Sequence, residues 1–259
     1  MKNISLTELL EAGCHFGHVV TRQNPKAREF IFEERDKIHI IDLAKTKEGL
    51  EAAAAFVKTL ASRGGTIIFV GTKRQAQGII KEDAQRCGAL FVDKRWIGGT
   101  ISNFEEVSKN FKKLKKLEEQ LTSEQAKEGY TKREVGLWEK ERVKLEGLYG
   151  GIKNLEKIPD ALFIIDVHQE EAAVREASRR GVAVTGIVDT NADPTLVDYP
   201  IPANDDAVGS IKLITSYLAD AWIEGSKLKL EGETKETEVK IKKEVKGGKR
   251  KSKATKKAA

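Results

Sequence analysis

Only two cysteines, Cys14 and Cys87, occur in the 259 residues, and they are not closely paired. A disulfide scaffold is therefore not the organising device, and a reducing compartment is expected. No apolar run approaches the ~20 residues that span a bilayer, so no membrane partner is expected. Met1 to Ser5 read as the start of structured sequence rather than a signal or transit segment, which points to a cytoplasmic chain. Two nucleotide signatures are missing as well. Gly71, Thr72, Lys73 and Arg74 follow an apolar run but lack the spacing of G-x-x-x-x-G-K-[ST], whose amides wrap a phosphate. The G-x-G-x-x-G fingerprint is absent after Val70, with no acidic ribose ligand in place. Asp166, His168 and Glu170 have no nucleophile to serve, so no catalytic set is read and an enzyme is not expected.

What is present is charge, unevenly spread. The chain carries 46 basic and 40 acidic residues, a formal net charge of +6. Lys249 to Ala259 hold six basic residues and no acidic one, which leaves 40 against 40 over residues 1–248. The body is formally neutral, and the excess belongs to a Lys- and Glu-rich tail from 226 to 259, whose composition reads as disordered.

The most informative stretch is Thr66 to Asn103. Two strand-like runs, Thr66 to Val70 and Ala89 to Val92, each deliver a cationic loop. The first loop holds Lys73 and Arg74; the second holds Lys94, Arg95 and Trp96, then Gly98 and Gly99. In an open α/β sheet, loops after parallel strands gather on one edge. Ser5 and Glu8 form a capping box for a first helix. Phe30 to Phe32 and Ile38 to Ile41 read as a hairpin. Helices over Lys45–Arg63, Gln75–Cys87 and Gln169–Arg180 alternate with further strands at Ala161–Asp166 and Val182–Val188, before a last helix at Ala207–Glu224. The fold class is α/β, a doubly wound, mostly parallel sheet.

Residues 104–157 break the alternation. Phe104, Val107, Phe111, Leu114, Leu117 and Leu121 recur at helical steps, and Val135, Trp138, Leu145 and Tyr149 form a second series. Two narrow apolar seams describe an antiparallel coiled-coil hairpin inserted between two strands. The domain reading is a discontinuous core over 1–103 and 158–225, an arm over 104–157, and the tail.

Cations at several loops suit a nucleic-acid backbone, and an indole suits a stacked base. Arg22, Asn24, Lys26, Arg28, Lys73, Arg74, Lys94, Arg95, Trp96 and Asn103 are the candidate RNA contacts. Cys14 and His18, completed by Asp189 and Asp205, are a candidate metal set of the donor types zinc takes. Otherwise no cofactor is expected. The alternative reading is an α/β enzyme or binding protein for a phosphorylated small molecule at the Gly71 and Gly98 loops.

Leu9 to His18 with Asn24 and Pro25, Phe69 to Ala76, Arg95 to Asn103, Pro159 to Asp166, Gly186 to Asn191 and Pro202 to Asp206 together resemble the second-protein family of the small ribosomal subunit, over residues 4 to about 226. The resemblance implies an α/β domain with a coiled-coil arm, no catalysis, and binding to 16S rRNA and neighbouring small-subunit proteins. It also implies docking of the first protein of that subunit, a role in subunit assembly and translation initiation, a bacterial or organelle-encoded source, and no homo-oligomer. A factor that joins the subunit only transiently during assembly is a third reading.

Overall fold

A computed structural model describes residues 4–123 and 129–229. Five strands make one parallel sheet in the order β5-β4-β6-β7-β8: β4 (Ile67–Val70), β5 (Leu90–Val92), β6 (Ala161–Ile164), β7 (Ala183–Val188) and β8 (Tyr199–Pro202). The central strands are apolar on both faces because helices cover both. Alternation of side chains across β4 divides the core: Ile67 and Phe69 join one buried cluster, Ile68 and Val70 the other.

The first cluster is roofed by α1 (Leu6–Glu11), α2 (Leu43–Ser62), α3 (Arg74–Cys87) and α7 (208–229). The second is roofed by α4 (Phe104–Thr122), the end of α5 (Lys132–Tyr149) and α6 (Glu171–Arg179). The chain leaves β4 towards β5 and returns to the other side of β4 as β6, which puts the topological switch point between β4 and β6. In open α/β sheets the crevice opens there, beyond the carboxyl ends of the strands.

A second sheet, antiparallel, has the order β1-β3-β2, with β1 at Phe16–Val19, β2 at Ile31–Arg35 and β3 at Ile38–Ile41. Asp36 (φ 51°) and Lys37 (φ 65°) both take left-handed backbone, as a two-residue hairpin loop matched to strand twist requires. β1 was not legible as a strand. Its Gly17 lies so close to the loop after β7 that an added Cβ would meet Thr190 Cγ2 at 2.8 Å. That close approach docks the small sheet onto the carboxyl edge of the large one.

Helices α4 and α5 lie side by side. The Phe111 and Tyr149 rings meet edge to face at 5.5 Å, Lys113 pairs with Glu141, and Lys153 pairs with Glu118 at 2.8 Å. Val107, Phe111, Leu114 and Tyr149 share the second buried cluster with the sheet, so the roots of this pair belong to the core. Leu137 and Val143 are exposed. The tail was expected from residue 226. α7 remains helical through 229, where Ser226 Oγ donates to the Trp222 carbonyl. The rest of the expected tail, 230–259, lies outside the described residues.

Candidate functional site

The carboxyl edge of the parallel sheet is acidic. Asp189 follows β7 directly, Asp166 comes two residues after β6, Lys73 three after β4, and Asp205 three after β8. Lys73 Nζ sits 2.7 Å from Asp166, 2.8 Å from Asp205 and 2.8 Å from Asp206. Burial opposes the Lys73 charge, but attraction from Asp205 and hydrogen bonds to all three carboxylates outweigh it and raise the pKa. Next to this group, Glu170 is buried and accepts from Thr72 Oγ1. Burial raises its pKa, as does the neighbouring Asp166 charge.

One ammonium therefore serves three carboxylates. Asp205, wholly buried and facing Asp166 and Asp189, is not fully compensated, and its pKa is pushed up to about 7, by burial first and then by those charges. Its Oδ2 is buried with no hydrogen-bond partner among the described residues. Beside it, His18 Nδ1 lies 3.1 Å from Asp189 Oδ2, and the His18 amide donates to Asp189 Oδ1 at 3.2 Å. The Asp189 hydrogen bond, opposed by burial, raises the His18 pKa.

His18, Asp189 and Asp205 each offer a ligand atom within 4.8 Å of the others, the arrangement a divalent cation needs. The unpartnered Asp205 oxygen and the imidazole fit a nitrogen–oxygen donor set for zinc. Cys14 is not part of it. Its thiol is buried in the first cluster near Ser210, where burial raises its pKa and disfavours the thiolate a metal would need. Of the four expected residues the structure brings His18, Asp189 and Asp205 together, and Cys14 lies in the core.

Two more candidates are already engaged within the chain. Lys73 was read as a phosphate contact, but its charge is spent on Asp166, Asp205 and Asp206 inside an acidic crevice. Trp96 was read as a stacking platform, but it is only 7% exposed. Its Nε1 donates to Glu176 Oε2 at 3.0 Å, while Glu176 Oε1 accepts from the Ile101 amide (2.9 Å) and from the Ser102 amide (2.7 Å) and hydroxyl (2.9 Å). Burial works against the Glu176 charge, but these four bonds prevail and lower its pKa. The loop that carries Gly98 and Gly99 is therefore held to α6 by a carboxylate.

The remaining candidates divide by role. Asn24 Oδ1 accepts from the Lys26 amide, and Lys26 Nζ reaches Asp193 at 2.7 Å and Thr195 at 3.1 Å. This pair ties the turn after β1 to the loop after β7. Asn103 precedes α4 and is exposed. Arg22, Arg28, Arg74, Lys94 and Arg95 are exposed cations, with Lys94 donating to Gln77 at 3.1 Å.

The family model for ribosomal protein S2 matches residues 9–225. The chain belongs to that family. Ribosomal S2 proteins are structural components of a ribonucleoprotein that serves translation, and a structural rather than catalytic role follows for this S2-family chain. Among the described residues no helix is long and apolar enough to cross a membrane.

Sequence reasoning missed the acidic crevice, although its signal was present. Two apolar strand runs end in aspartates, at Asp166 and Asp189, and the pair Asp205–Asp206 follows shortly after Tyr199–Pro202. It also missed Arg175, Arg179 and Arg180, which with Ser102 line a cavity on α6.

Proposed function

We propose that this S2-family chain is a constituent of the small subunit of a bacterial or organellar ribosome. It binds 16S-type rRNA, supports subunit assembly, and docks the first small-subunit protein in translation initiation. The observation that carries the reading is the family match over residues 9–225. Exposed cations at Arg22, Arg28, Arg74, Lys94 and Arg95 support a phosphate backbone as partner. The acidic crevice at the switch point counts against a nucleotide or phosphorylated small molecule, since Asp166, Glu170, Asp189, Asp205 and Asp206 face one lysine there.

Protein docking is supported on the small sheet. Leu10, Phe16 and Ile38 line one depression, and Phe32 on the neighbouring strand is 71% exposed. Apolar side chains grouped on a surface mark a protein contact. Zinc at His18, Asp189 and Asp205 would fix β1 to the carboxyl edge beneath that patch.

Sucrose-gradient fractionation of cell lysate at high magnesium tests the proposal. The chain is expected in the small-subunit peak and to remain there after a high-salt wash. Presence only on immature particles would favour a transient assembly factor. A chain that stays at the top of the gradient would end the ribosomal reading.

A further inference from the structure

One face of the small sheet holds a buried histidine. His39 is 5% exposed, and among the described residues neither Nδ1 nor Nε2 meets a hydrogen-bond partner. Buried polar groups left unpaired are destabilising, so a further donor and acceptor beside this ring would be favourable. His39 lines a cavity of about 500 Å³ between the β2–β3 hairpin and the two short 3-10 turns at Val20–Arg22 and Pro25–Phe30. That volume lies in the range of sites that take small organic groups, about 300–1,000 Å³.

The walls indicate which group. Glu34 sits directly opposite His39 in the antiparallel register, so both side chains stand on the same face. Arg28 and Gln23 complete the polar lining, and Val20, Pro25 and Ile31 supply apolar surface. A phosphate is disfavoured, because Glu33 and Glu34 offset the single guanidinium. A divalent cation is disfavoured too, because among the described residues these side chains do not converge to ligand distance. A neutral, flat ligand with donors on one edge and acceptors on another matches a carboxylate, an imidazole, an amide and a guanidinium set around an apolar slot. Guanine carries that pattern, with N7 and O6 accepting and N2 donating. Proteins recognise RNA sequence chiefly through bases splayed out of single-stranded segments.

We propose that this cavity receives one unpaired guanine base of RNA, read by Glu34, His39 and Arg28. The inference rests on the ribosomal reading and deepens it. It is tested by reconstituting small subunits from rRNA and purified proteins with the intact chain, with His39→Leu, or with Glu34→Gln. Glu34 is exposed, so the second variant keeps the test valid should His39→Leu fail to fold.

A glyoxal reagent then reads the N1 and N2 edge of each guanine. One unpaired guanine is expected to be protected by the intact chain and to react about tenfold faster with either variant, read on particles purified to equal content of the chain. The same reactivity pattern with all three chains would overturn the proposal. So would a photo-crosslinker at Gln23 that captures protein and no RNA. Failure of even the intact chain to enter particles, read separately by sedimentation, would overturn the ribosomal reading beneath it.

Discussion

The Trp96 indole donates a 3.0 Å hydrogen bond to Glu176, and through that carboxylate the loop after β5 is fastened to α6. Four donors on one carboxylate make Glu176 a keystone for residues 96–102. Glu176→Gln is expected to cost about 2 kcal/mol at neutral pH, since the amide accepts at one oxygen only. Urea denaturation measures the difference, and a variant as stable as the parent would dismiss the role.

The same residue sets a pH dependence. Because its folded pKa is depressed, Glu176 contributes stability that is complete above its ordinary range near pH ~4.3 and is lost as pH falls through the lower folded value. The stability gap between the parent and Glu176→Gln should therefore be widest at neutral pH and narrow on acidification below about pH 4. A gap that widens in acid would have the wrong sign for this assignment.

The sheet was legible because buried parallel strands read as continuous apolar runs, as at Ile67–Val70 and Ala161–Ile164. β8 was not, since Pro200 and Pro202 disguise an edge strand that pairs on one side only. The site was legible by residue type and not by environment. Lys73 and Trp96 look like RNA contacts in a string of letters. Their partners lie far along the chain, at Asp205 and Glu176, and no local pattern announces a contact 132 or 80 residues away.

Lys73→Met should therefore unfold the crevice rather than merely loosen RNA. Removing the cation leaves Asp166 and Asp205 buried without compensation, a loss of about 3 kcal/mol or more. Chemical denaturation of the purified chain, with no RNA present, is the decisive measurement. Unchanged stability would return Lys73 to the list of surface cations.

Zinc added to the metal-stripped chain is expected to raise its melting temperature, and His18→Ala should abolish that gain. Cys14→Ala should leave the zinc-dependent increment intact even if the core substitution lowers the baseline, because the thiol lies outside the cluster. Loss of the increment in Cys14→Ala, with His18→Ala unaffected, would reverse the ligand assignment.

The exposed cations carry the last expectation. Arg74→Glu with Arg95→Glu should leave the melting temperature within about 1 °C of the parent, since surface changes away from paired groups rarely exceed ~0.5 kcal/mol. Incorporation into reconstituted small subunits should fall most at 50 mM salt, and the deficit relative to the parent should narrow towards 200 mM, because each lost phosphate contact removes one released counterion from the binding balance and flattens the salt dependence. The salt dependence separates this from a packing defect, which would be insensitive to ionic strength. Full occupancy at every salt concentration would mean that the strand-end loops face away from the RNA, and would move the search for phosphate contacts to Arg175, Arg179 and Arg180 on α6.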